Sequence, residues 1–174
     1  AGLPWQILKT PHLTLRESTV SDVEDFYRIY QDPSITKYME RLFPDRDEER
    51  SYMKDYIQKI YGFYGFGLWS VIHTVTGTVI GRAGLSVREG YEIPELGFVT
   101  EVAFQHQGYT YEICEAILRY ARDELEFPQV QAFCHPENTA SLHLLQKLGF
   151  TYAGEDLLQG IPHARYIVSL PKSC

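Results

Sequence analysis

The stretch VAFQHQGYTYEICEAILRYARDELEF, Val102 to Phe127, decides the architecture. It follows the strand-like run ELGFVT (Glu95 to Thr100) and passes through Gln105-His106-Gln107-Gly108-Tyr109-Thr110 straight into a helix. Ile113, Ile117, Ala121 and Leu125 then recur at four-residue steps, the spacing of one helix face, and predict a helix from about Tyr109 to Glu124. The join contains one glycine and no lysine or arginine. It reads either as a plain strand-to-helix turn or as a phosphate cradle, since backbone N–H groups at a helix start bind an anion without a positive side chain. A second strand-like run, VQAFC (Val130 to Cys134), comes next, so the helix is a crossover between parallel strands. The turn then lies at the carboxyl end of a strand where the connectivity changes, which is where open α/β sheets bind ligands.

On the amino-terminal side, GLWSVIH and TVIGRAGLSV flank Thr76-Gly77, and Arg88-Glu89-Gly90 leads into YEIPELGFVT. These three runs predict an antiparallel meander. Earlier still, LTLRE reads as a strand, and Ser21 with Glu24 reads as a capping box for a first helix with Val23, Phe26, Tyr27 and Tyr30 on one face. Asp32-Pro33 closes that helix; Asp45 with Glu48 opens another in which Met53, Tyr56, Ile57 and Ile60 are the apolar face. Downstream, NTASLHLLQKL reads as a helix, and FTYAGE and ARYIVSL as the last strands. The expectation is one α/β domain over residues 1–174, with a mixed, mostly antiparallel central sheet of about seven strands flanked by about four helices.

A net charge of −7 over 174 residues argues against broad binding to nucleic acid or to an anionic membrane. No apolar run is long enough to span a bilayer, and AGLPWQILKTPHLTLR lacks the form of a signal peptide, so a cytoplasmic location is expected. The start at Ala1 fits removal of an initiator or excision from a longer protein. Cys114, Cys134 and Cys174 are an odd number with no CxxC spacing and read as reduced thiols. His73, His106, His143 and His163 lack ligand spacing, so no metal is expected.

Two motifs stand together here. Gln105-x-x-Gly108-x-Thr110 is similar to the Q/R-x-x-G-x-G/A loop that holds the CoA pyrophosphate in the GNAT family of acyl-CoA-dependent N-acetyltransferases. Asn138, Ser141, Lys147, Gly149 and Phe150 in ENTASLHLLQKLGF resemble the same family's N-x-x-S…K-x-G-F signature. The resemblance runs over nearly the whole chain and is closest to the branch that acetylates the N-termini of ribosomal proteins. It implies acetyl-CoA as cosubstrate, an amine as acceptor, and a cofactor site made of Phe98, Val99, Thr100, Gln105, His106, Gln107, Gly108, Tyr109, Thr110, Asn138 and Ser141. Two positions depart from the family: Thr110 replaces glycine or alanine, and Leu145 replaces a tyrosine that in many members protonates the leaving thiolate. Ser141 inherits that role.

Read blandly, Asn138 is an N-cap, while Gly149 and Phe150 end a helix and begin a strand. Amine acetylation also needs a route for the proton lost by the amine. Glu95 is the expected base, directly or through water; Glu92 and Glu101 are neighbouring carboxylates, and His135 is the second candidate. The oxyanion donor is expected to be a backbone N–H near Val99. Tyr61, Phe63, Tyr64 and Phe66 could wall the acceptor site. The expected acceptor is a peptide N-terminus or a small-molecule amine; the alternative function is a noncatalytic acyl-CoA-binding regulatory module. A homodimer is the assembly to test.

Overall fold

Short turns fold the middle of the chain back on itself twice, as the sequence predicts. β3 (Leu68–His73), β4 (Thr78–Ser86) and β5 (Glu95–Thr100) form an antiparallel meander, with Trp69 opposite Ala83 and Ala83 opposite Phe98. Gly81 in β4 has a steric reason to be glycine, because a Cβ there would lie 2.2 Å from the Val99 carbonyl oxygen. The computed structural model describes residues 4–172, and Cys174 lies outside them.

The meander continues into a sheet of eight strands in the order β1-β2-β3-β4-β5-β6-β8-β7. β2 (Leu13–Arg16), β6 (Gln129–Cys134), β7 (Thr151–Leu158) and β8 (Ile161–Ser169) match expected strands. β1 (Gln6–Lys9) is additional to the seven expected. It has four residues, lies between Pro4 and Pro11, and pairs only with β2 at the sheet edge, so it is too short to show an alternating pattern.

Among the described residues five helices flank the sheet, against about four expected: α1 (Val23–Tyr30), α2 (Pro33–Thr36), α3 (Arg46–Tyr56, which runs on through a π-helical turn into Gly62–Tyr64), α4 (Tyr109–Asp123) and α5 (Thr139–Lys147). The fifth is the single turn α2. Asp32 caps it through Ser34 N–H at 2.9 Å, and Pro33 occupies its first position, so the pair that ends α1 also begins another turn. The cap of α1 also differs from expectation. Thr19 donates its N–H to Asp22 Oδ2 at 2.9 Å, and Asp22 is buried in an ion pair with Arg16 and a bond from Ser70, so Ser21 is not the cap. Asp45 caps α3 as expected, accepting from Asp47 and Glu48 N–H. A π-helical turn over Ile57–Tyr61 rotates the register there, and Tyr61 rather than Ile60 becomes the buried residue.

α4 and α5 lie on one face, over a core containing Ile113, Ile117, Ala121, Val130, Ala132 and Leu145. α1 and α3 lie on the other, where Val23, Phe26, Met53, Ile72 and Val99 cluster.

Candidate active site

β5 and β6 are parallel but pair at one position only, Glu95 with Gln131. Gln131 fixes this junction. It is fully buried, its N–H donates to Pro94 O at 2.9 Å, its Nε2 donates to Ile93 O at 3.1 Å, and Arg165 Nε donates to its Oε1 at 2.7 Å. Beyond the junction β6 continues to pair with β8 as far as Cys134 with Ala164, while β5 continues with β4 as far as Thr100 with Gly81. The two strands therefore diverge from Glu95 and Gln131, and their facing edges have no backbone partner in each other.

The hydrogen bonds define which groups face this opening. Pro94 O points towards β6, and Glu101 N–H donates to Ile80 O in β4 at 2.7 Å. Backbone groups alternate along a strand, so those of Phe98 and Thr100 point into the opening and those of Val99 point to β4. The oxyanion donor expected near Val99 thus has Phe98 and Thr100, rather than Val99 itself, as the N–H groups that face the opening. Extended amides can pair with such an edge as an added strand would.

At the wide end of the opening, Gly108 is the N-cap of α4 with φ of +81°, and no side chain caps the helix. The N–H groups of its first turn are free to meet an anion. The residues expected here divide into two groups. Gly108 and the backbone of Tyr109 and Thr110 form the helix start; Gln105 instead ties the loop to β5 by donating Nε2 to Thr100 O at 2.8 Å, and Gln107 reaches Ala103 O at 3.4 Å. His106 has φ of +63° and is exposed. Thr110 Oγ1 lies 2.6 Å from Thr100 Oγ1, which gives a reason for a hydroxyl where the family has glycine or alanine. Tyr109 contacts His73 across 3.5 Å.

A cleft of about 410 Å³ adjoins this turn, lined by Lys9, Thr10, Gly108, Tyr111, Glu112 and Arg119 among others. Lys9 supplies a cation that the loop sequence lacks. It comes from β1, so nothing local in the sequence could place it there. Glu112 ties the β1–β2 turn to α4, accepting from Thr10 Oγ1 at 2.6 Å and His12 N–H at 3.0 Å. Burial works to raise its pKa, but these bonds and the His12 ring prevail and hold it below the ordinary carboxylate value. Another cleft of about 390 Å³ lies at the far end of α4, around Arg122, Phe127 and Leu170, away from the opening.

Across the opening, Asn138 caps α5, its Oδ1 accepting from Ser141 N–H at 3.2 Å. Ser141 is half-buried in the first turn, and among the described residues no hydrogen bond engages its hydroxyl. Leu145 is 1 % exposed in the core, so it contributes packing and no proton chemistry. Gly149, with φ of +93°, and buried Phe150 end the helix as expected.

Glu95 lies on the α1–α3 face beside the junction, but not as a free carboxylate. Arg88 grips it bidentately, Nε to Oε1 and Nη2 to Oε2 at 3.0 Å, and the hydrogen bonds and charge of Glu95 outweigh burial to raise the Arg88 pKa. The Arg88 guanidinium sits 5.0 Å from the Phe133 ring centre. Tyr91 packs on Phe133 and hydrogen-bonds Asp156. Neither Arg88 nor Phe133 carries a motif signal. The aromatic segment expected to wall the acceptor site lies elsewhere: Tyr61 is core, Phe63 is 78 % exposed, and Phe66 packs 5.6 Å from Phe127 at the far end of α4. Tyr64 bridges Phe63 and Phe66. On the α1–α3 face of β6 and β8 the rings are instead Phe133, His135 and His163, with Tyr38 5.0 Å and His163 5.6 Å from His135.

Comparison with known proteins agrees with this geometry. The family model for the GNAT acetyltransferase domain matches residues 12–151. The chain is 29 % identical over 153 residues, 86 % of its length and 84 % of the relative's, to the uncharacterized N-acetyltransferase p20 of Bacillus licheniformis. Its fold is similar to that of RimL, a ribosomal L7/L12 α-N-protein acetyltransferase (TM-score 0.82, 15 % identity, 97 % and 96 % of the two chains). It is also similar to that of MccE, a microcin C7 self-immunity acetyltransferase solved with acetyl-CoA and AMP (TM-score 0.76, 14 % identity, 92 % and 94 % of the two chains). A divergent strand pair beside an uncapped helix start, with a matching family model over most of the chain, places this protein in the GNAT family, as an acetyl-CoA-dependent N-acetyltransferase.

Proposed function

We propose that acetyl-CoA lies in the β5–β6 opening and that a primary amine, a peptide N-terminus or a small molecule, attacks its thioester directly from the α1–α3 face. The observation that carries this reading is the single Glu95–Gln131 pairing, which leaves two strand edges open next to the bare N-terminus of α4. The pyrophosphate would rest on the first turn of α4 at Gly108, Tyr109 and Thr110, near Lys9. The pantetheine amides would pair with Phe98 and Thr100, and Ser141 would protonate or hydrogen-bond the departing thiolate. Glu95 would hold and orient the amine by accepting its N–H while Arg88 fixes the carboxylate.

Acetyl-CoA supplies the activated acetyl group; the chain supplies orientation, N–H donors for the developing oxyanion, and proton transfer. Among the described residues no helix is long and apolar enough to cross a membrane, and a cytoplasmic enzyme, monomeric or homodimeric, is the setting we propose. The ribosomal-protein acetyltransferase fold of RimL favours testing peptide N-termini first. The experiment is an acetylation screen with acetyl-CoA across N-terminal peptides, lysine-like amines, polyamines and aminoglycosides, following thiol release and acceptor mass together. Acceptor-dependent thiol release with an acetylated product supports the reading. CoA binding without turnover on any of these classes would overturn the proposed acceptor range.

A further inference from the structure

Arg88 engages both oxygens of Glu95 in a bidentate, charge-assisted pair, which fixes this carboxylate in place beside the junction. So held, it is placed to accept an N–H from an amine and orient it. The groups around the opening on the same face therefore matter. Side chains alternate along a strand, and Arg165, opposite Phe133, reaches Gln131 on the face that carries Glu95. His135 and His163 follow on that face, two residues from Phe133 and Arg165, and their rings are 5.6 Å apart. Both are half-buried.

Their hydrogen bonds give them opposite tautomers when neutral. The backbone N–H of Glu137 donates to His135 Nδ1 at 3.1 Å, so that nitrogen carries a lone pair and the proton sits on Nε2. His163 Nδ1 lies 2.9 Å from Ile161 O, and a carbonyl oxygen only accepts, so Nδ1 holds the proton and Nε2 holds the lone pair. Of the two neutral rings, His163 alone keeps an unprotonated nitrogen, Nε2, that is not taken by a hydrogen bond among the described residues.

We propose that His163 is the general base that takes the proton of the acceptor amine, with His135 Nε2–H as a hydrogen-bond donor beside it. This rests on the acceptor entering from the α1–α3 face, as argued above. The ammonium proton passes to His163 Nε2, directly or through one water, and the freed nitrogen pair forms the N–C bond to the acetyl carbon. The C–S bond breaks with its electron pair going to the CoA sulfur. The second nitrogen proton then reaches the thiolate by way of Ser141, and His163 returns its proton to water. The charged and titratable groups facing His163 are His135 across β6, Arg165 along β8 and Asp156 opposite on β7. Tyr38 packs on His135 from the segment after α2, and Glu40 of that segment reaches Gln159 at the β7–β8 turn. Asp156 does not compete for the proton, because the Tyr91 hydroxyl, then Leu157 N–H and the nearby arginines, hold its carboxyl below the ordinary value.

The test uses the full chain and whichever amine the wild type acetylates. His163→Ala and His163→Asn should each lower kcat/KM by about 100-fold or more and remove the acid limb of its pH profile, while thermal stabilisation by CoA stays unchanged. Added imidazole should restore part of the His163→Ala rate. His135→Asn should keep the acid limb. Rates within about threefold of wild type in both His163 variants, or a loss with the acid limb intact and no imidazole rescue, would overturn the assignment. In those cases wild-type turnover would still leave the acetyltransferase reading standing; absence of wild-type turnover on every amine would instead remove that reading and this inference with it.

Discussion

Replacing Gly108 with valine tests the cofactor cradle most simply. A Cβ at Gly108 has no protein atom within 4 Å, so the substitution meets no clash in the folded chain. Its cost comes from φ of +81°, which a β-branched residue adopts only with strain of about 1–3 kcal/mol. For a chain of this size, about 2–4 °C in Tm corresponds to each kcal/mol, so the apo variant should melt about 2–12 °C lower. CoA at about a hundred times its Kd stabilises the wild type by about 2.7 kcal/mol, a shift of about 5–11 °C. In Gly108→Val that shift should vanish, because relief of the strain rotates the first N–H groups of α4 and the new side chain occupies the space in front of them. Gly108→Asn, which tolerates positive φ, should keep part of the shift. The assay is a melting curve of each variant with and without CoA. An undiminished CoA shift in Gly108→Val would refute the reasoning, since the backbone at α4 would then not be where the cofactor is held.

Ser141→Ala should lower kcat far more than it weakens CoA binding, which steady-state kinetics beside CoA titration will separate; a change confined to KM would make Ser141 a binding residue. Glu95→Gln, which weakens an acceptor for the amine N–H, should raise KM for the amine more than it lowers kcat, as steady-state kinetics with each acceptor class will show. Burial pushes the Asp22 carboxyl up, but Arg16, Thr19 N–H and Ser70 outweigh it and leave its pKa below the ordinary 3.8. A lowered acid contributes stability in full above its unfolded value and loses it as pH falls through the folded one. Denaturant titrations should therefore show wild type losing stability below about pH 4 more steeply than Asp22→Asn.

The parts of the fold that were legible in the sequence are those with local causes. The meander follows from short apolar runs bounded by turn residues, α4 from Ile113, Ile117 and Ala121, and the ends of α5 from Asn138 and Gly149. β1 escaped because four residues at a sheet edge carry too little pattern, and Tyr61 displaced Ile60 because a π turn changes the helical period. The site was legible as a cofactor loop and a helix start. The groups that shape its chemistry were not, because they meet only through pairing across the sheet. Arg88 reaches Glu95 across the turn before β5, Arg165 reaches Gln131 from a strand more than thirty residues away, and His163 faces His135 because β8 inserts between β6 and β7. No spacing in the chain announces those neighbours.

If the cofactor occupies the edges left open by the divergence of β5 and β6, residue-resolved amide hydrogen exchange with and without CoA will report it at those edges. CoA should slow exchange at Phe98 and Thr100 in β5 and at Tyr109 and Thr110 in the first turn of α4, with Val99, already bonded to β4, unaffected. Protection absent from Phe98 and Thr100, and concentrated instead around Arg122, Phe127 and Leu170 at the far end of α4, would contradict it.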